Sequence, residues 1–154
     1  MIVISHRANL NGIEENRENN PKYIDECISL GFDVEIDLRM KNNKLFLGHD
    51  FAQYEISIEW LLERKDNLWI HIKEYEALQI IMNYKEELKF FCHENDRFTL
   101  TSNGFIWCHD LNNRMNENCI IPLLSLKQVR DYEDYNSFAI CTDYVYDCVE
   151  KFKK

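Results

Sequence analysis

Residues 32 to 38 alternate strictly, with Phe32, Val34, Ile36 and Leu38 apolar and Asp33, Glu35 and Asp37 acidic. A period of two predicts a β-strand with one apolar and one acidic face. Ahead of it, Ile2-Val3-Ile4-Ser5 reads as a short apolar strand closed by His6-Arg7. A polar loop from Asn9 to Pro21 follows. Tyr23, Ile24, Cys27, Ile28 and Leu30 then recur at helical spacing between Lys22 and Leu30, with Gly31 placed to cap the end.

Beyond the alternating strand, Lys41-Asn42-Asn43-Lys44 reads as a turn and Leu45-Phe46-Leu47 as a returning strand that leads into Gly48-His49-Asp50. Ile58 to Arg64 suggests a brief helix. Leu68 to Lys73 is the next strand, with His71 and Lys73 on one face. Glu76 to Leu88 gives the clearest helical spacing, and Lys89 to Cys92 a strand ending at His93-Glu94-Asn95-Asp96. Further short strands are expected at 98–100, 105–108, 119–124 and 138–141, with helices at 126–132 and 146–152. Strand and helix alternate through the first 95 residues, which points to an α/β fold with a mostly parallel sheet. A parallel crossover needs about a dozen residues, so 98–100 and 105–108 fit an antiparallel hairpin better.

The length of 154 residues argues for one domain spanning 1–154, and a 45% hydrophobic content is enough for a real core. A formal charge of −9 argues against a nucleic-acid-coating protein and against docking on an anionic membrane. The six cysteines form no CxxC pair, and several lie in apolar runs, so they read as buried free thiols of a reducing compartment. Neither a signal-like segment nor an apolar run of membrane-spanning length is apparent, and a cytoplasmic location is expected.

The chemistry-bearing residues cluster at the expected strand ends. Glu35 and Asp37 lie two apart on one strand, so their carboxylates point the same way about 7 Å apart along the chain. Two converging carboxylates repel unless a cation or protons intervene, and a divalent metal with oxygen ligands would relieve this. The alternative is a solvent-facing acidic strand face. His6 and His49 are the natural acid/base candidates near neutral pH, although a lone histidine is commonly structural. Arg7 could present a guanidinium fork to phosphate or pair structurally with Glu18 or Glu35. Lys73 would be a second cation.

In order, His6-Arg7, Glu18-Asn19, Glu35-x-Asp37 and Gly48-His49-Asp50 resemble the signature of glycerophosphodiester phosphodiesterases, within the phospholipase-C-like phosphodiesterase barrels. The likeness is strongest over residues 1–75, weaker at 101–107 and 141–144, and closest to a compact bacterial branch. It implies a metal-assisted (β/α)8 barrel that cleaves glycerol-type phosphodiesters through a cyclic intermediate. His6 and His49 would be the acid/base pair, Arg7 the phosphate contact and Glu18 an organiser of the site. Glu35 and Asp37 would hold magnesium or calcium. Ala8 stands where the family commonly has Gly. His71, two before Lys73, stands where it has a third carboxylate, which makes His71 a candidate ligand and brings in manganese or zinc.

His93 would sit beside His71 as a substrate contact or as loop structure, and His109-Asp110 could also approach this rim. Trp107 and Tyr144 could wall a pocket or pack in the core. Since such barrels run to about 250 residues, this one is expected to be a compact TIM-like barrel with helices reduced or missing in its second half. The expected activity is metal-dependent hydrolysis of a small phosphodiester. The rivals are a non-catalytic phosphate-binding barrel and a lyase that stops at the cyclic phosphate. Homodimerisation would cover apolar surface left bare by missing helices.

Overall fold

The computed structural model describes residues 1–111, 115–134 and 136–152. The chain runs β1 (Ile2–His6), α1 (Pro21–Ser29), β2 (Asp33–Lys41), β3 (Lys44–Leu47), β4 (Tyr54–Ile56), α2 (Ile58–Glu63), β5 (Leu68–Ile72) and α3 (Tyr75–Ile81). It continues through a 3-10 turn (Met82–Tyr84), β6 (Phe90–Phe91), β7 (Phe98–Leu100), β8 (Ile106–Cys108), β9 (Cys119–Leu123), α4 (Leu126–Asp131), β10 (Ala139–Thr142) and α5 (Val145–Phe152). This is a mixed α/β fold on a 10-stranded sheet.

Most of the expected elements form. The helix expected over 76–88 ends early, at Ile81, and the 3-10 turn takes over. Leu88 keeps the apolar spacing but is buried in the lead-in to β6. One strand was missed: β4, which pairs antiparallel with β3 and has only three residues, an exposed Glu55 between the half-buried Tyr54 and Ile56. At the β2–β3 turn Asn42 and Asn43 both take positive φ, 50° and 60°, the backbone that a two-residue hairpin loop requires. The proposed hairpin of β7 and β8 is antiparallel as expected.

One run of parallel pairings follows the order β6-β5-β2-β1-β10-β9-β8. The helices contribute to two apolar clusters. One joins α1, α2 and α3 to β2, β3 and β5 through Ile24, Leu61, Ala77, Ile36 and Ile70, and the other joins α4 and α5 to β9 and β10 through Val129, Cys148, Ile121 and Ile140. A third cluster contains no helix residue. Ile4, Trp69, Phe91, Trp107, Ile120 and Cys141 fill it from the strands alone. Within it Phe91 of β6 stacks on Trp107 of β8, centroids 4.3 Å apart, so the two outermost strands of the parallel run touch through their rings. No ladder joins these two strands among the described residues, so the sheet is not closed by strand pairing. No helix lies between β6 and β9 among the described residues, whereas α4 and α5 follow later in the second half.

The cysteines are all free. Five are buried, but Cys92 is exposed, contrary to the expectation of uniformly buried thiols. No helix among the described residues is long and apolar enough to cross a membrane.

Candidate functional site

The acidic face of β2 is not turned to solvent. Glu35 is 2% exposed and Asp37 0%. Parallel pairing sets His6 against Glu35 on one side of β2 and His71 against Asp37 on the other. At the opposite end of the same face, Asp33 accepts hydrogen bonds from the Trp69 indole (2.9 Å) and the Asn67 amide (3.1 Å). The strand therefore spends one carboxylate on structure and aims the other two at a cluster of cations.

Asp37 is the hub of that cluster. Its Oδ2 accepts from the Asn19 amide at 3.0 Å and pairs with His49 Nδ1 at 3.2 Å. Arg7 Nε lies 3.0 Å from the same oxygen, close in distance but not aligned as a hydrogen bond. On the other oxygen, Oδ1, His71 Nδ1 approaches to 3.3 Å and Lys73 Nζ to 3.8 Å. Burial would push the Asp37 carboxyl up, but His49, His71 and the Arg7 charge beside it hold it well below the usual carboxylate range. His71 is placed in the mirror-image way. Burial opposes its charge, yet Asp37 at 3.3 Å and Glu35 at 3.6 Å push its pKa up to about 9.

Glu35, Asp37 and His71 each offer a ligand atom, and these atoms all lie within 4.8 Å of one another. Glu35 Oε2 and Asp37 Oδ1 are buried and accept no hydrogen bond. Two buried carboxylate oxygens whose nearest cationic groups stand at 3.3 Å or more without an aligned hydrogen bond, beside an imidazole, are what a divalent cation would satisfy. The residues fit, so this group could bind a metal ion.

His6 is fixed from the far end of the chain. Its Nδ1 meets Asp143 Oδ1 at 2.8 Å, leaving Nε2 at 3.9 Å from Glu35 Oε2. Burial would lower the His6 pKa, but the Asp143 hydrogen bond and the Glu35 charge outweigh it and raise the value. Asn9 ties this pair to the first loop by donating to Asp143 (2.8 Å) and to Glu18 (3.0 Å).

Arg7 and Ala8 both adopt left-handed backbone, φ 53° and 70°. Ala8 thus takes at some steric cost the conformation that Gly adopts freely. The Arg7 carbonyl accepts from Asn19 N–H (2.9 Å) and the Ala8 carbonyl from Arg17 Nε (2.6 Å), which holds the turn. Arg7 therefore engages Glu18 at 3.5 Å and Asp37 rather than Glu35, and its Nη2 reaches His49 Nε2 at 3.3 Å. A guanidinium can only donate, so the His49 proton belongs on Nδ1, toward Asp37.

The His49 loop is pinned by Arg39. Its guanidinium donates to the Gly48 and His49 carbonyls and is itself held by Glu74 at 2.7 Å. Gly48 has φ 149°, and a Cβ there would meet the Phe51 carbonyl oxygen at 2.1 Å. Gly48→Ala is expected to cost about 1–3 kcal/mol and to displace His49 from Asp37. Urea denaturation together with the His49 imidazole NMR signals would check both effects.

His6, Arg7, Glu35, His49, His71, Lys73, His93 and His109 share the lining of a cavity of about 150 Å³, with Phe91, Trp107, Pro122 and Leu124 as its apolar part. Thus all the predicted site residues except Glu18 and Asp37 face the cavity, and those two touch residues that do. Trp107 serves both core and cavity, while Tyr144 packs with the cluster around α4 and α5. Sequence reasoning missed Asp143, Asn9 and the Arg39–Glu74 brace. Asp143 lies within the 141–144 stretch of weaker resemblance and Asn9 in the segment just past His6-Arg7, but neither has a role in that reading. No protein-family model matches the chain, and no curated protein matches it.

Proposed function

We propose that the chain is a compact, helix-poor TIM-like barrel that hydrolyses a glycerophosphodiester or a related small phosphodiester with a divalent metal. The parallel run, the helix-free inner cluster and the Phe91–Trp107 contact between its end strands support the barrel. One observation carries the function: a buried Glu35-Asp37-His71 donor group beside His6, Arg7, His49 and Lys73 around one cavity. A bound cation would polarise a phosphoryl oxygen and offset charge developing on it.

In this reading Arg7 and Lys73 attract and orient the phosphate. His49, with its proton on Nδ1, presents Nε2 to take a proton from the attacking hydroxyl once phosphate draws Arg7 away. His6 gives a proton from Nε2 to the leaving oxygen, with Asp143 steadying the imidazolium. Water then opens the cyclic phosphate with the two roles reversed, His6 taking the water's proton and His49 returning its own to the ring oxygen. His93 contacts substrate, and Glu18 holds Arg7 and Asn9. An adjoining groove of about 680 Å³ shares Lys73, His93 and Glu94 with the cavity and gives the alcohol portion room.

Purified protein assayed on bis(p-nitrophenyl) phosphate and glycerophosphodiesters with Mg, Ca, Mn or Zn tests the reading. Turnover should appear with at least one metal and fall in His6→Ala and His49→Ala. No turnover with any metal sinks the hydrolase, and phosphate binding retained in that case would mark the non-catalytic phosphate-binding barrel instead. Phosphorus NMR of the products separates complete hydrolysis from a lyase halting at the cyclic phosphate.

His71 makes metal binding depend on pH. Its pKa in the metal-free fold, about 9, exceeds the ordinary value of 6.5, so the protonated form stabilises the fold. That contribution is full below the unfolded value and is lost as pH rises through about 9. A ligating imidazole must be neutral, so metal expels this proton. Calorimetric titration with Mn²⁺ at pH 6.5, 7.5 and 8.5 should show affinity rising about tenfold per pH unit. His71→Asp should flatten that slope and favour Mg²⁺.

A further inference from the structure

Of the five histidines that line the cavity, His71, His93 and His109 stand in a row, and of these only His71 belongs to the carboxylate group. His93, just past β6, lies face to face on His71, ring centroids 4.5 Å apart and planes within 2°. His109, just past β8, meets His93 on its other side, Nε2 to Nε2 at 3.3 Å with the rings tilted by 49°.

A structural histidine usually satisfies both ring nitrogens within the protein. His93 does not: its Nδ1 is buried with no hydrogen-bond partner, and its Nε2 faces another imidazole. The spacing has a second meaning. Two nitrogens each about 2.0–2.1 Å from a tetrahedral zinc ion stand about 3.3 Å apart. The convergence of the two Nε2 atoms at 3.3 Å therefore matches a pair of ligands on one ion.

We infer that His93 and His109 form a second transition-metal site, taking Zn²⁺ or Co²⁺ through their Nε2 atoms and leaving the remaining positions to water or to a substrate oxygen. Both rings are neutral, so the one that carries its proton on Nε2 exchanges it through solvent onto its own Nδ1 when the ion binds, with no net proton released. Paired imidazoles suit Zn²⁺ and Co²⁺, whereas Mg²⁺ and Ca²⁺ prefer oxygen ligands, so the two centres differ in metal preference. The site goes beyond the phosphodiesterase reading: it shares no metal ligand with the Glu35-Asp37-His71 group, and it would make His93 reach substrate through an ion rather than directly.

Titration of the full chain with Zn²⁺ by calorimetry, and with Co²⁺ by visible absorption, tests the inference. Wild type should bind two Zn²⁺ per chain. His109→Ala, at an exposed position, should bind one, and His93→Gln likewise. Glu35→Gln should lose the other event and keep the histidine one, which separates failure of this site from failure of the carboxylate centre. Cys92→Ser, which removes the exposed neighbouring thiol, should leave the Co²⁺ spectrum in place. The inference is overturned if both histidine variants keep the wild-type stoichiometry. It is equally overturned if Cys92→Ser alone abolishes the second event.

Discussion

Asp37→Asn is expected to lower the stability of the metal-free protein by about 3–5 kcal/mol, the scale for removing one partner of a buried charge network. The residue is fully buried and faces Arg7, His49, His71 and Lys73, so the amide leaves those groups without the anion that holds them. At about 2–4 °C per kcal/mol for a chain of this size, the melting temperature should fall by roughly 6–20 °C. The same substitution removes a candidate metal ligand, so in the proposed reading Mn²⁺ should raise the wild-type melting temperature but not that of the variant. Turnover should drop by a factor of about 10³ or more, since both the cation and the pose of Arg7 are lost. Thermal unfolding with and without Mn²⁺ reads both effects. A variant as stable as wild type, still stabilised by metal, would remove Asp37 from the centre of the site.

His6→Ala should leave metal affinity nearly unchanged and lower kcat by about 10²–10⁴, the usual share of a positioned acid or base. Asp143→Asn separates position from proton transfer. The carboxylate at 2.8 Å helps raise the His6 pKa against the effect of burial. Its loss should let that pKa fall, so that protonated His6 disappears at lower pH. Activity that needs the charged imidazole should then decline earlier on the alkaline side. A pH–rate profile of Asp143→Asn with an unmoved alkaline limb would refute the positioning role.

The alternation from Phe32 to Leu38 carried most of what was legible. It identified β2, its two faces and the carboxylates that share a face. It did not show that β5 pairs with one edge of β2 and β1 with the other, the registers that bring His71 and His6 to those carboxylates. Such pairings are nonlocal, and a strand's own pattern is silent about its neighbours. Asp143 escaped for the same reason, because its value depends on β10 lying beside β1. Asn19 was visible beside Glu18 in the motif, yet nothing local revealed that its amide would clamp Asp37 through both side chain and backbone. The histidine pair was half visible, as two residues just past strand ends with no indication of their mutual distance.

The hydrogen bond between His6 and Asp143 spans 137 positions of the chain. Glu35, Asp37 and His71 all lie in the first half of the chain. His6 must wait for β10 to dock beside β1. In the phosphodiesterase reading, a chain cut before residue 143 would keep all three candidate metal donors and lose the carboxylate that pairs with His6.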